Sequence, residues 1–278
     1  MTDDAPRSRA ARRAAERALV RVVHHYGARP EFVVLGGLVP ELLCAGSDYE
    51  HAGTTDIDVQ VNLEIAYGSV NAIRLERALR SADFYPDEQY AWRWRVDGLD
   101  GRTVVKFELL ADLDDQPAEA QILFDGCEAL GAANLRGTGY ASRDIEIHRL
   151  NASIGGVEYI AEVNVTGLAG YVLAKSAAAR SRRATKDWYD VAFVLLHNDA
   201  GGPSEAADTV VGRFGDELAG LCTTLDDLRA NFADPAAQGP QAYARQMLLD
   251  HPDADRTTLL ADAVVAVAAF HDGLYGGG

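Results

Sequence analysis

Asp56-Ile57-Asp58 sets two carboxylates either side of one isoleucine within the run TTDIDVQV. In a strand, side chains alternate, so both acids point to one side. Two carboxylates on one side repel each other unless a cation sits between them. Mg²⁺ is the usual occupant, with Mn²⁺ an equivalent, held by one or two carboxylates and completed by substrate phosphates. Gly36-Gly37 lies upstream, its second glycine nineteen positions before Asp56, where the apolar run FVVL should turn into a helix. Backbone can approach a phosphate closely at such a turn, and helix N-terminal amides attract anions. Thr54-Thr55 stands directly ahead of the acids. Together these features point to a metal-and-triphosphate site, and hence to nucleotidyl transfer. The plainer reading, strand-end acids that cap loops, explains the aspartates but not their context.

Phosphoryl-transfer sites usually carry a third acid that helps activate the attacking hydroxyl. Glu108, in VVKFELL, is the candidate: Phe107 and Leu109 should face a core and leave Glu108 on the side of Lys106. Asp112 and Asp114, just beyond, are the fallback. A second cluster, AKSAAARSRRATKDWYDVAFVLL over residues 174–196, puts Lys175, Arg182 and Lys186 on related helix faces and Asp187 and Asp190 one turn apart. A lysine facing a triphosphate would offset charge growing on the leaving pyrophosphate. The plainer reading is a helix with ordinary i, i+4 pairs, such as Lys186 with Asp190.

The elements that must position these residues are legible as periodicities. Residues 7–27 read as a helix with Leu19, Val22 and Val23 on one stripe, ending at Gly27. Strands are expected over 31–35 and 56–62, a helix over 37–46, and an amphipathic helix over 68–82 with Val70, Ile73, Leu75 and Leu79 on one side. Residues 90–96 and 102–110 alternate and suggest a hairpin through 97–101, and short strands follow at 120–124, 144–150 and 157–165. After Thr166 the texture turns helical, over 167–198 and most of 204–275. The expected fold is α+β: an N-terminal helix (1–29), an α/β domain with a mixed sheet (30–165), and a C-terminal helical domain (166–278).

Composition bounds the rest. With 278 residues and 48% apolar content the chain can bury substantial cores. No unbroken apolar run approaches the ~20 residues of a membrane span, so no membrane partner is expected. Three scattered cysteines without metal-type spacing suit reduced thiols and a cytoplasmic location. The net charge of −16 disfavours extensive nucleic-acid contact, although Arg7–Arg17 and Lys175–Lys186 are locally basic.

The order GG, TTDIDV, an acid on a later strand, then K-x₁₀-K-D-x-x-D with arginines between resembles the AbiEii/AbiGii-type nucleotidyltransferases. These belong to the DNA polymerase β-like nucleotidyltransferase superfamily and include the MenT toxins. The resemblance spans about residues 30–200. It implies that Gly36, Gly37 and Thr55 bind nucleotide, that Asp56 and Asp58 bind Mg²⁺ with Glu108 as third carboxylate, and that Lys175 contacts the triphosphate. It gives Asp190 the part of an active-site acid, and lines the cleft with Lys186, Asp187 and either Arg182 or Arg183. The substrate implied is an NTP, the acceptor a tRNA 3′ end, and the partner a cognate antitoxin. Two departures stand out: His51-Ala52-Gly53 replaces a stretch where an arginine is common, and the third acid is Glu rather than Asp. Rival expectations are transfer to a small molecule or protein side chain, and an inactive binding module of the same fold.

Overall fold

The computed structural model describes residues 8–61, 70–98 and 103–276. The chain divides into two compact units: Met1–Val39 with Gly53–Thr166, and Pro40–Ala52 with Gly167–Gly278. Helix 1–29 is thus part of the first unit rather than a separate body, and residues 40–52 belong with the helical one. Residues 7, 62, 68, 69 and 99–102, on which several expected element ends and the hairpin turn fall, lie outside the described residues, as does most of the C-terminal glycine tail.

The first unit is built on a mixed sheet. Helix α1 (Arg9–Tyr26) starts where Ser8 Oγ accepts from Ala11 N at 3.1 Å and stops at Gly27 in the left-handed region, φ 76°. Strand β1 (Val33–Leu35) is followed by a 3₁₀ turn, Gly36–Leu38, then by β2 (Asp56–Gln60), α3 (Val70–Ser81), β3 (Tyr85–Pro86), β4 (Arg93–Asp97) and β5 (Val104–Ala111). After these come β6 (Gln121–Leu123), β7 (Gly131–Asn134), the short helix α4 (Gly139–Arg143), β8 (Ile145–Ile154) and β9 (Val157–Thr166). The main order is β3-β4-β5-β2-β1-β9-β8; β7 joins β5 at Leu110 and Ala111, and β6 pairs with β7. β2 runs parallel to β5 and antiparallel to β1, so the sheet is mixed, as the sequence implies. Gly155-Gly156, both at positive φ, closes a two-residue turn that holds β8 and β9 in register over ten pairs. Helix α1 lies across β2, β5, β8 and β9 and packs against α3. Ile57, Val59, Phe107 and Leu109 are 0% exposed, so each of these strands gives one full side to the core.

The second unit is helical: α2 (Pro40–Leu43), α5 (Leu168–Arg182), α6 (Thr185–His197), α7 (Pro203–Phe214), α8 (Leu218–Asn231), α9 (Gln238–Asp250) and α10 (Arg256–Tyr275). The helix expected over 37–46 is reduced to α2 because the 3₁₀ turn occupies its start. The stretch 167–198 is two helices, broken where Arg183 takes the left-handed conformation, φ 54°, and its N–H bonds to Ala179 O. Within α3, Leu75 and Leu79 are buried as expected, but Ile73 is half-exposed and Ala72 and Ala78 take the inner face instead. Helix α10 has the length and composition of a membrane span, mean hydropathy 1.3, which unbroken runs did not reveal because Asp262 interrupts it. Its Leu260, Ala263, Val267 and Phe270 are buried within this unit, where it packs on α6, α7, α8 and α9.

Candidate functional site

Charged chemistry gathers in two places, one in each unit. In the first unit, strand register decides it. Asp56 stands opposite Lys106, and Asp58 opposite Glu108; on the far side of β5, Arg95 stands opposite Lys106 and Arg93 opposite Glu108. Since Ile57 and Phe107 point into the core, alternation turns all six charged residues to the other side. Lys106 Nζ lies 3.8 Å from Asp56 Oδ1, and Arg93 Nε donates to Glu108 Oε1 at 2.7 Å. Arg93 is itself steadied over the rings of Trp92 and Tyr90. Arg95 instead pairs with Asp87.

Three carboxylates therefore share this face with Lys106, Arg93 and Arg95, the last of which is turned to Asp87. Directly opposed like charges on neighbouring strands destabilise a sheet. The consequence falls on Glu108: burial and the charges of Asp58 and Asp56 push its pKa up to about 7, against the pull of Arg93. A cation brought to Asp56 and Asp58 would offset their charge and favour the Glu108 carboxylate.

The glycine pair abuts these acids. Gly36 has φ 75°, and a Cβ there would fall 1.9 Å from Asp58 Oδ2; a Cβ on Gly37 would fall 2.8 Å from Thr54 Cβ. Within the unit, the glycines make room for the Asp58 carboxylate and for the threonine that precedes the motif. Thr54 Oγ1 accepts from Asp56 N at 3.0 Å, and Thr55 Oγ1 lies 3.4 Å from Asp56 Oδ1, so Thr55, expected at the nucleotide, touches the first acid. The fallback acids are occupied elsewhere: Asp112 Oδ2 accepts from Gly137 N and Gly139 N, both at 2.9 Å, and Asp114 pairs with Arg136.

An all-oxygen donor set suits a hard cation such as Mg²⁺. Among the described residues no group of three or more His, Cys, Asp or Glu side chains is arranged to hold a metal ion. The residues thus fit a cation held by Asp56 and Asp58 and completed by phosphate oxygens, with Glu108 kept beside them by Arg93 rather than closing a protein cage.

In the second unit the backbone break at Arg183 folds α6 back beside α5. Lys175 of α5 meets Asp187 and Asp190 of α6: Nζ is 3.2 Å from Asp187 Oδ1 and 2.8 Å from Asp190 Oδ2. Arg182 Nη2 donates to Asp187 Oδ1 at 2.9 Å. Asp187 also sits in the first turn of α6, where the helix dipole favours an anion. Both acid side chains are fully buried. Burial works to lower the Lys175 pKa, yet Asp190 and Asp187 outweigh it and the net shift is upward, so the ammonium stays charged.

Sequence reasoning missed two members of these clusters. His51 is 1% exposed, and its Nε2 is 3.0 Å from Asp190 Oδ1. Its only signal was its place in a stretch that departs from the family pattern. Arg93 read as an ordinary strand residue, and its pairing with Glu108 depends on hairpin register. Asp190 has Lys175 and His51 as close partners. Of the arginines expected to line a cleft, Arg182 is bound to Asp187 and Arg183 to Asp227 at 2.6 Å. A cavity of about 520 Å³ in this unit, lined by residues 46–49 and 196–199 with Gly201 and Gly202, has much of its polarity turned into its own walls. There Asp199 accepts from Ala45 N and Gly46 N, and the Asn198 amide is bonded within its own loop.

No known family matches the chain, and no curated protein matches it either.

Proposed function

We propose that the protein is a Mg²⁺-dependent nucleotidyltransferase of the DNA polymerase β-like type, moving NMP from an NTP to an acceptor hydroxyl. The observation that carries this reading is the Asp56–Asp58 pair, turned to one side by alternation, backed by Gly36, and set beside a Glu108 whose protonation is poised near neutrality. In the reaction, the acceptor oxygen bonds to the α-phosphorus, the bond from that phosphorus to the bridging oxygen breaks, and pyrophosphate leaves. Glu108, held as a carboxylate once a cation sits at Asp56 and Asp58, suits the role of taking the acceptor's proton. Bound at Asp56 and Asp58, Mg²⁺ would offset charge on the triphosphate. Lys175, kept cationic, is assigned to the triphosphate, and Asp190 to the support of Lys175.

The preferred acceptor is a tRNA 3′ end, and the preferred context a toxin with a cognate antitoxin, both on the AbiEii-type resemblance. A second reading, a small-molecule or protein acceptor, draws support from the net charge of −16 and from the commitment of Arg182 and Arg183 to acids, which shortens any phosphate-binding track. The cytoplasmic location stays with the three free cysteines.

Purified protein incubated with Mg²⁺, each α-labelled NTP and total tRNA tests both. Label on tRNA that is lost in Asp58→Ala supports the first reading, and label on the protein itself supports the second. No Mg²⁺-dependent transfer or NTP binding would overturn nucleotidyl transfer.

A further inference from the structure

His51 belongs to no expected site, yet it is the most completely enclosed histidine of the second unit. Its ring stacks on Tyr189, with centroids 5.0 Å apart and planes 23° from parallel, and meets Phe193 edge-on at 5.1 Å. The backbone around it is fastened at both ends: His51 N donates to Glu41 Oε2 and Ala52 N to Tyr189 Oη, each at 3.1 Å. Ring and main chain together fix the direction of Nε2 to within the play of a packed interior.

What Nε2 meets is the Oδ1 of Asp190, whose Oδ2 holds the Lys175 ammonium. A carboxylate has no proton to give, so Nε2 carries the hydrogen and His51 is the donor. A carboxylate free to turn about its own bonds would let the ammonium wander; one gripped at both oxygens does not.

We propose that His51 is a positioning residue for Lys175: through the Nε2–H bond to Asp190 it fixes the carboxylate that aims the lysine ammonium. The proposal rests on the reading of Lys175 as the triphosphate contact for its catalytic meaning, but the positioning itself can be measured without catalysis. His51→Phe keeps an aromatic ring against Tyr189 and removes the donor. His51→Gln loses the ring but returns an N–H at about the reach of Nε2. A role in packing alone favours Phe, and a role as donor favours Gln.

The experiment follows the lysine ammonium signals of ¹⁵N-labelled full-length protein, with the Lys175 signal identified by its disappearance in Lys175→Arg, alongside NMP transfer by the same samples. The expected result is a slowly exchanging Lys175 ammonium in the native protein and in His51→Gln. In His51→Phe its proton exchange should be faster by about tenfold or more, with kcat reduced about 10–100-fold at little-changed KM, the range typical of outer partners that orient a charged group. An unchanged Lys175 signal in His51→Phe, or equal loss in both variants, overturns the proposal, as does a Lys175 ammonium already in fast exchange in the native protein. Should His51→Phe not fold, His51→Asn, too short to reach Asp190, takes its place. If native protein transfers no nucleotide while the ammonium responds as expected, the functional reading fails and His51 still positions Lys175.

Discussion

The acid face of the sheet and the ionic cluster between α5 and α6 use similar side chains and reach opposite ends. On the sheet, Asp58 and Glu108 stand opposite each other, and burial together with the charges of Asp58 and Asp56 pushes the Glu108 pKa up to about 7. In the helical unit, Lys175 and Arg182 pair with Asp187 and Asp190, and His51 donates to Asp190. On the proposed function, the first arrangement would take the cation and the triphosphate. The second would act by orienting Lys175.

The sharpest way to break this contrast is Asp58→Ala. Transfer should fall on the order of 10³-fold or more, while thermal unfolding stays unchanged or shifts upward, because a repelling carboxylate has gone. Retained transfer would remove the acid face from the chemistry. Lys175→Ala should behave in the opposite way. It takes the ammonium from two buried carboxylates and should cost about 3–5 kcal/mol of stability, read as a lowered denaturant midpoint, with part recovered by adding Asp190→Asn.

Glu108 gives a pH test. A carboxyl whose folded pKa is raised binds its proton more tightly in the native state than in the unfolded one. Stability from this group is full below about pH 4.5 and is lost as pH rises toward about 7, by on the order of 3 kcal/mol at most. Glu108→Gln should flatten that slope and raise the melting temperature at pH 8 without metal; an unchanged slope would show that the acid face is not under strain. The smallest effect is expected for Gly36→Ala. Left-handed backbone alone costs about 1–2 kcal/mol for a residue with a Cβ. The collision with Asp58 should also weaken Mg²⁺-dependent NTP binding, and calorimetric titration reading native affinity would show that Gly36 does not shape the acid site.

The parts of the molecule that the sequence made legible are those written in short-range periodicity. Alternation around Ile57 placed Asp56 with Asp58, and around Phe107 placed Glu108 with Lys106, while the register that joins the two pairs came from the sheet; the change of texture after Thr166 located the passage from sheet to helices. What stayed hidden depends on distance along the chain. His51 and Asp190 are 139 positions apart, and nothing near either residue encodes the meeting. Residues 37–46 read as one helix because apolar spacing shows that a segment is buried without showing against what. β7 went unseen because Gly131-Ala132-Ala133-Asn134 has none of the β-branched or aromatic residues that announce a strand.

The excursion of Pro40–Ala52 into the helical unit has an evolutionary side. It leaves three residues after Gly37 and returns four residues before Asp56, so the two motifs of the acid face bracket a piece of the other unit. A recombination event at Thr166–Gly167 would bring in a new set of helices without His51 and Glu41, and the imported counterpart of Asp190 would arrive without its donor. The helical unit therefore cannot be exchanged as a cassette through one crossover; it must be inherited together with the segment between the glycines and the aspartates.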